Sequence, residues 1–227
     1  MKVSIVIPAL NEEKAIEAVI RAIPAGELRE AGHDIEVLVV DNNSEDQTAE
    51  LARKCGATIV LERNRGYGRA YKTGFRHATG DIIATCDADM TYPVEDIPRL
   101  VALLDEKCLD FITTNRFAMQ EDGSMPWRNK LGNRVLNLTT RALFGVRLQD
   151  SQSGMWVFRR HILDNLILRS DQMSFSEELK IEACCFSDYR WAEVPIRYRC
   201  RVGDVKLHAW IDGLHNLQYL IRKRIRR

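Results

Sequence analysis

Five short strand-like runs, each parted from the next by a stretch with helical character, constrain this chain more than any other feature. They are VSIVI at 3–7, IEVLVV at 35–40, ATIVLE at 57–62, DIIATC at 81–86 and DFITTNRF at 110–117. The first two are β-branched runs without apolar–polar alternation, the mark of strands buried on both faces. The intervening segments carry helix signals. Asn11 opens EEKAIEAVIRAI, with apolar residues at helical spacing. Ser44 and Gln47 have capping-box spacing and predict a helix over about 45–54. NRGYG leads into a helix ending near Thr79-Gly80, and Pro93 starts one that runs to about 106. Strands alternating with helices over residues 3–117 require a mostly parallel α/β sheet with helices on both faces.

Ligands of such sheets sit beyond the carboxyl ends of the strands. Three polar clusters fall there: PALNEE, DNNSED and CDADMTYP. The second half is less regular. It predicts an amphipathic helix at 127–144, a strand at 153–160, a helix at 175–187, a strand at 189–198 and a last helix over about 208–225 that carries the basic tail IRKRIRR. No low-complexity linker or repeat divides the chain, so residues 1–227 are expected to form one domain.

The 33 basic and 32 acidic residues leave a net charge of +1, which argues against a general nucleic-acid binder. No stretch reaches the ~18 apolar residues of a membrane span. The opening MKVSIVIPALNEE lacks a signal peptide's long apolar region. The six cysteines form no C-x-x-C pair, as expected of free thiols in a reducing compartment, and the expected location is cytoplasmic. A dinucleotide fold would place G-x-G-x-x-G after the first strand. No glycine precedes Gly26, and the series Gly66, Gly68 ends on Tyr71. No G-x-x-x-x-G-K-[ST] motif occurs.

Asp87 and Asp89 flank one small residue at a strand end. Alternate side chains there share a face, and two carboxylates aimed at one point repel unless a cation lies between them. The pair fits a Mg²⁺ or Mn²⁺ site completed by phosphate oxygens, or a solvated strand end. Its place beside two other polar strand ends favours the cation.

Taken in order, SIVIPALNEE, VVDNNSEDQT, RGYGRAYKTGFRHATGD, CDADMTYP, Arg116, DSQSGMWVFRR and RVGDVKLHAWIDGL resemble a family 2 glycosyltransferase of the GT-A fold, in the branch of the dolichol-phosphate mannose and glucose synthases. The resemblance covers nearly the whole chain. It implies a nucleotide-sugar-binding half at 1–117 and an acceptor-binding half at 118–227. Pro8, Ala9, Asn11, Glu12, Asp41 and Asn43 would bind the nucleotide. Asp87 and Asp89 would hold Mg²⁺ or Mn²⁺ on the donor diphosphate. Arg116 would act in catalysis, and Arg128, Arg201 and Lys206 would meet the acceptor phosphate. Asn42 stands where many relatives carry a second aspartate, Thr91 where mannosyl-transferring ones often carry glutamine, and Val205 where serine is usual.

The implied reaction is inverting transfer of a hexose from GDP-mannose or UDP-glucose to a polyprenyl or dolichyl phosphate. A phosphate acceptor is already ionised, whereas a hydroxyl acceptor needs a base. Glu177 and Glu178 are the candidates for that base, or else they are helix N-terminal partners. The alternatives are a glycan-hydroxyl acceptor and a regulatory protein that binds nucleotide sugar without turnover. A lipid acceptor brings peripheral contact with a membrane. The apolar residues for that contact would be Leu131, Val135, Leu138 and Leu143 on one helix and Trp210, Leu214, Leu217 and Ile221 on the last.

Overall fold

The N-terminal β-branched run forms β1 (Lys2–Ala9), which sends Val3, Ile5 and Ile7 to one face of a sheet and Val6 to the other. In the computed structural model, residues 1–204 and 209–225 are described, apart from the side chains of Ala209 and Trp210. After β1 come α1 (Ile16–Arg21) and α2 (Ala25–Glu30), then β2 (Asp34–Asp41), α3 (Thr48–Lys54), β3 (Thr58–Leu61), α4 (Tyr67–His77), β4 (Ile82–Thr85) and α5 (Ile97–Glu106). The second half adds β5 (Phe111–Gln120), α6 (Trp127–Phe144), β6 (Trp156–Arg159), α7 (Phe175–Cys185), β7 (Trp191–Tyr198) and α8 (Ala209–Ile225).

The seven strands lie in the order β3-β2-β1-β4-β6-β5-β7. All neighbouring pairs are parallel except the two made by β6, which runs antiparallel to β4 and β5. Strands from both halves of the chain therefore share one sheet. One face packs on α1, α3 and α5 through Ile16, Ala52, Leu100 and Leu104. The other packs on α4 and α7 through Tyr71, Phe75, Phe175 and Leu179. Helices cover both faces, as a parallel sheet requires.

Three helix starts differ from the sequence expectation. Asn11 does not open α1, because it adopts φ 51° and its amide donates to Ser44 Oγ at 3.0 Å. Pro24 then divides the expected helix from α2, since proline lacks the amide that the helix interior needs. Ser44, engaged by Asn11, does not cap α3. The helix begins at Thr48, whose amide donates to Asp46 Oδ1 at 3.0 Å. Pro93 precedes a 3-10 turn at Val94–Asp96, and it is Pro98 that occupies the first turn of α5.

Candidate active site

β1, β2 and β4 are consecutive in the sheet and parallel, so PALNEE, DNNSED and CDADMTYP meet at one edge. The first two loops are tied together. Glu45 N donates to Asn11 Oδ1 at 2.8 Å, and Glu12 N to Thr48 Oγ1 at 2.8 Å. Each of the three loops holds one non-glycine residue in the left-handed region: Asn11 (φ 51°), Asn43 (φ 64°) and Met90 (φ 67°). Such strain clusters where a loop is over-determined by its surroundings. Asn42 is a structural amide. Its Nδ2 donates to Glu62 O at 3.1 Å and Asn64 O at 2.8 Å, while Oδ1 accepts from Gly66 N at 2.7 Å. An aspartate has no N–H for those carbonyls, so an amide is what fixes the loop before α4.

A cleft of about 410 Å³ opens at this edge. Pro8, Glu12, Asn42, Asp87, Asp89 and Arg201 line it, together with Arg65, Tyr67, Met173 and Asp212. The Tyr67 and Tyr71 hydroxyls, one helical turn apart on α4, point at Asp87 Oδ1 from 3.2 and 3.4 Å. Burial, and then the charge of Asp89, push the Asp87 carboxyl up to about 7. Asp89 Oδ1 accepts from Thr91 N at 3.0 Å and Thr91 Oγ1 at 2.5 Å, and Oδ2 accepts from Arg201 Nη1 at 2.6 Å. Gly154, on the loop entering β6, backs Asp87. A Cβ there would collide with Tyr67 Oη and lie 3.3 Å from Asp87 Oδ1.

The chemistry of this donor set suits a small hard cation. Two neighbouring carboxylates, one with its ionisation suppressed by burial and then by the charge of the other, gain from a positive charge between them. Among the described residues no cluster of three Asp, Glu, His or Cys side chains forms a cage. The remaining ligands would come from diphosphate oxygens and water, as is usual for Mg²⁺.

A second hollow of about 180 Å³ adjoins the cleft and shares Met173 and Asp212 with it. The N-terminal half of α6 (Arg128, Asn129, Asn133) and α8 (Asp212, Asn216) form its walls, with Arg116 and Gln152. Arg116 is held by Asp150 through Nε at 2.7 Å and Nη2 at 2.9 Å, and Tyr198 lies beneath its guanidinium at 5.4 Å. Burial would raise the Asp150 carboxyl, but the charges of Arg116 and Lys180 outweigh it and hold the group below its usual range. Lys180 donates to Asp150 O at 2.8 Å, and its burial lowers its own pKa to about 8. Arg128 is exposed and lies over Trp127 at 5.6 Å.

The remaining expected residues fall as follows. Ala9 is buried, and its carbonyl accepts from Asn42 N at 2.8 Å. Asp41 is buried and accepts from Ser44 N at 3.1 Å. Asn11 lines a neighbouring hollow with Glu13 and Asp204, and Asn43 is exposed. Neither Glu177 nor Glu178 lines the cleft or the second hollow. Glu177 is buried and accepts from Gln152 Nε2, and burial raises its carboxyl well above the ordinary range. Glu178 Oε2 accepts from the amides of Arg169 and Ser170 at 2.9 and 2.7 Å. Lys206, Val205, the Trp210 side chain, Arg226 and Arg227 lie outside the described residues. Sequence reasoning missed Tyr67, Gln152, Met173 and Asp212. The i,i+4 spacing of Tyr67 and Tyr71 was the available signal for the first; the others carry no local signal.

The Glycosyl transferase family 2 profile matches residues 4–167. The chain is 32% identical over 210 residues to a dolichyl-phosphate hexose transferase of Haloferax volcanii, spanning 92% of this chain and 88% of that protein. It is 37% identical to an undecaprenyl-phosphate 4-deoxy-4-formamido-L-arabinose transferase of Enterobacter sp., over 96% of this chain and 65% of that protein. A low-salt glycan biosynthesis hexosyltransferase of Haloferax volcanii is 32% identical over 96% of this chain, which spans only 52% of that longer protein. Among solved structures, glucosyl-3-phosphoglycerate synthase of Mycobacterium tuberculosis, in complex with Mn²⁺, UDP and glucosyl-3-phosphoglycerate, superposes with a TM-score of 0.75 at 23% identity. The match covers 98% of this chain and 79% of that one. The likeness establishes a shared fold.

Proposed function

The chain belongs to glycosyltransferase family 2, and on that premise we propose that it transfers a hexose, with inversion, from a nucleotide diphosphate sugar to a polyprenyl phosphate, using Mg²⁺ or Mn²⁺. The observation that carries this reading is the junction of the two hollows. The paired carboxylates Asp87 and Asp89 line the first, and the cations Arg116 and Arg128 line the second. Pro8 and Glu12 flank the donor end, with Asn11, Asp41 and Asn43 shaping its loops. A bound divalent cation would offset charge on the leaving diphosphate. Asp87 and Asp89 would hold that cation. Arg116, set rigidly by Asp150, and Arg128, exposed at the rim, would bring the acceptor phosphate to the junction. A phosphate oxygen is ionised at neutral pH and needs positioning rather than a base.

Relatives named for dolichyl and undecaprenyl phosphates support a lipid acceptor, and so does the outer surface of the second hollow. Leu143 and Leu217 turn inward to pack with Leu136 and Leu220. Leu131, Val135 and Leu138 on α6, and Leu214 and Ile221 on α8, stay exposed. Lys130, Arg134, Arg222 and Arg224 accompany them on the same helices. Among the described residues no helix is long and apolar enough to cross a membrane. We assign these outer faces to docking on an anionic bilayer, with the lipid's phosphate entering between α6 and α8.

Asp212 favours a second reading. It is a carboxylate lining both hollows and could serve as base for a hydroxyl acceptor. A donor screen decides between them, with Mn²⁺ or Mg²⁺ and either a short polyprenyl phosphate or free sugars as acceptor. Glycosyl transfer to the phosphate that survives Asp212→Asn is the expected result. Product only with hydroxyl acceptors would overturn the lipid reading, and full activity in chelator would overturn the cation.

A further inference from the structure

Arg201 already binds one of the two carboxylates that a cation would need. Its Nη1 donates to Asp89 Oδ2 at 2.6 Å and its Nη2 pairs with Glu12 Oε1. Both carboxylates are buried, at 7% and 8% exposure, beneath a guanidinium that is 23% exposed. Buried carboxylates this close are costly without a counter-ion, and the arginine supplies one. The segment that carries it is laid across CDADMT by two backbone bonds, Arg199 N to Thr91 O at 3.0 Å and Val202 N to Asp89 O at 2.9 Å.

This arrangement conflicts with cation binding. Asp89 Oδ1 is taken by the Thr91 amide and hydroxyl, and Oδ2 by Arg201. Asp89 keeps one lone pair, on the oxygen that already faces the guanidinium, so a metal bound there would lie against a positive charge while Arg201 stays. The Arg201 side chain is also poorly satisfied, because its Nε is buried without an acceptor. A donor left unmet makes departure less costly.

We propose that Arg201 is a resident counter-ion that the divalent cation displaces, and that displacement frees its guanidinium for the acceptor phosphate. This rests on the cation reading above. The exchange couples the two hollows. Filling the donor cleft with cation and diphosphate releases a positive charge within the cleft that shares Met173 and Asp212 with the second hollow, so donor binds before acceptor.

The test is Mn²⁺ binding to the full chain, read from loss of the free-ion electron paramagnetic resonance signal, with Mn²⁺ alone and with inorganic pyrophosphate. Removing a competing ion pair should tighten Mn²⁺ binding to Arg201→Ala by about fivefold. Arg201→Lys, which keeps one charge but not the two-carboxylate bridge, should lie between Arg201→Ala and wild type. Mn²⁺ should also raise the melting temperature of Arg201→Ala more than that of wild type. A merely diphosphate-neutralising arginine predicts the opposite: equal or weaker Mn²⁺ binding in the variants would overturn the inference. If Arg201→Ala fails to fold, Arg201→Lys decides by the same comparison. Absence of Mn²⁺ binding to wild type, with and without pyrophosphate, would refute the cation reading itself, and this inference with it.

Discussion

Asp150→Asn is the most informative single perturbation of the second hollow. Asp150 is fully buried and its partner Arg116 is 9% exposed. The carboxylate accepts three hydrogen bonds from Arg116: its amide at 3.0 Å, Nε at 2.7 Å and Nη2 at 2.9 Å. The amide substitution keeps the shape but removes the charge. It leaves a buried guanidinium uncompensated, with the Lys180 ammonium still bound to the Asp150 carbonyl. Breaking a buried pair by neutralising one partner costs about 3–5 kcal/mol. For a chain of this size that corresponds to a melting temperature lower by roughly 6–20 °C. Urea unfolding at pH 7, followed by the fluorescence of tryptophans that include the buried Trp156, measures it. The double variant Arg116→Met, Asp150→Leu should recover part of the loss, because guanidinium and carboxylate leave together while the buried Lys180 keeps its carbonyl partner and the charge of Glu193. The sign of the pH effect also follows. The carboxyl's folded pKa lies below its unfolded value. Its contribution is therefore complete above the unfolded value and fades as pH falls through the folded one. The penalty of Asp150→Asn should shrink correspondingly in acid. A penalty under about 1 kcal/mol at pH 7 would refute the claim that this pair holds the hollow together.

Three further outcomes are expected. Asp89→Asn should lower kcat by about 10²–10³-fold and weaken Mn²⁺ binding, read by turnover and resonance titration; wild-type rates would remove Asp89 from the site. Gly154→Ala should cost about 1–3 kcal/mol of stability through collision with Tyr67 and weaken cation binding by shifting Asp87; a neutral melt would show that the loop has room. Glu36→Gln should destabilise at neutral pH by about 1 kcal/mol after allowing for solvent screening. Burial opposes the Glu36 charge, but Lys2, Ser4 and Thr79 outweigh it and hold the carboxyl at about 2. That contribution is present above about pH 4.5 and is lost toward pH 2, so melts of the two proteins should converge there.

Much of this was legible in the chain. VSIVI, IEVLVV and DIIATC became β1, β2 and β4 because β-branched runs bounded by polar loops have one good packing solution. Their polar ends converged because parallel strands put every carboxyl end on one edge. Locally plausible signals failed where a distant partner intervened. Ser44 and Gln47 had the spacing of a cap, yet Ser44 Oγ accepts from the Asn11 amide. Asn42 proved to be a structural amide for a loop some twenty residues on.

The sequence by itself determined the alternating α/β layout, the edge where ligands gather and the carboxylate pair Asp87 and Asp89, because all three follow from periodicity and short-range chemistry. Only the tertiary structure decided the reversal of β6 between β4 and β5, the burial of Glu177, the place of Asp212 between two hollows and the pairing of Arg201 with Asp89 across 112 positions of chain. Those depend on which elements pack together. A buried charge takes whatever counter-charge the packing brings within reach, however far along the chain it comes from.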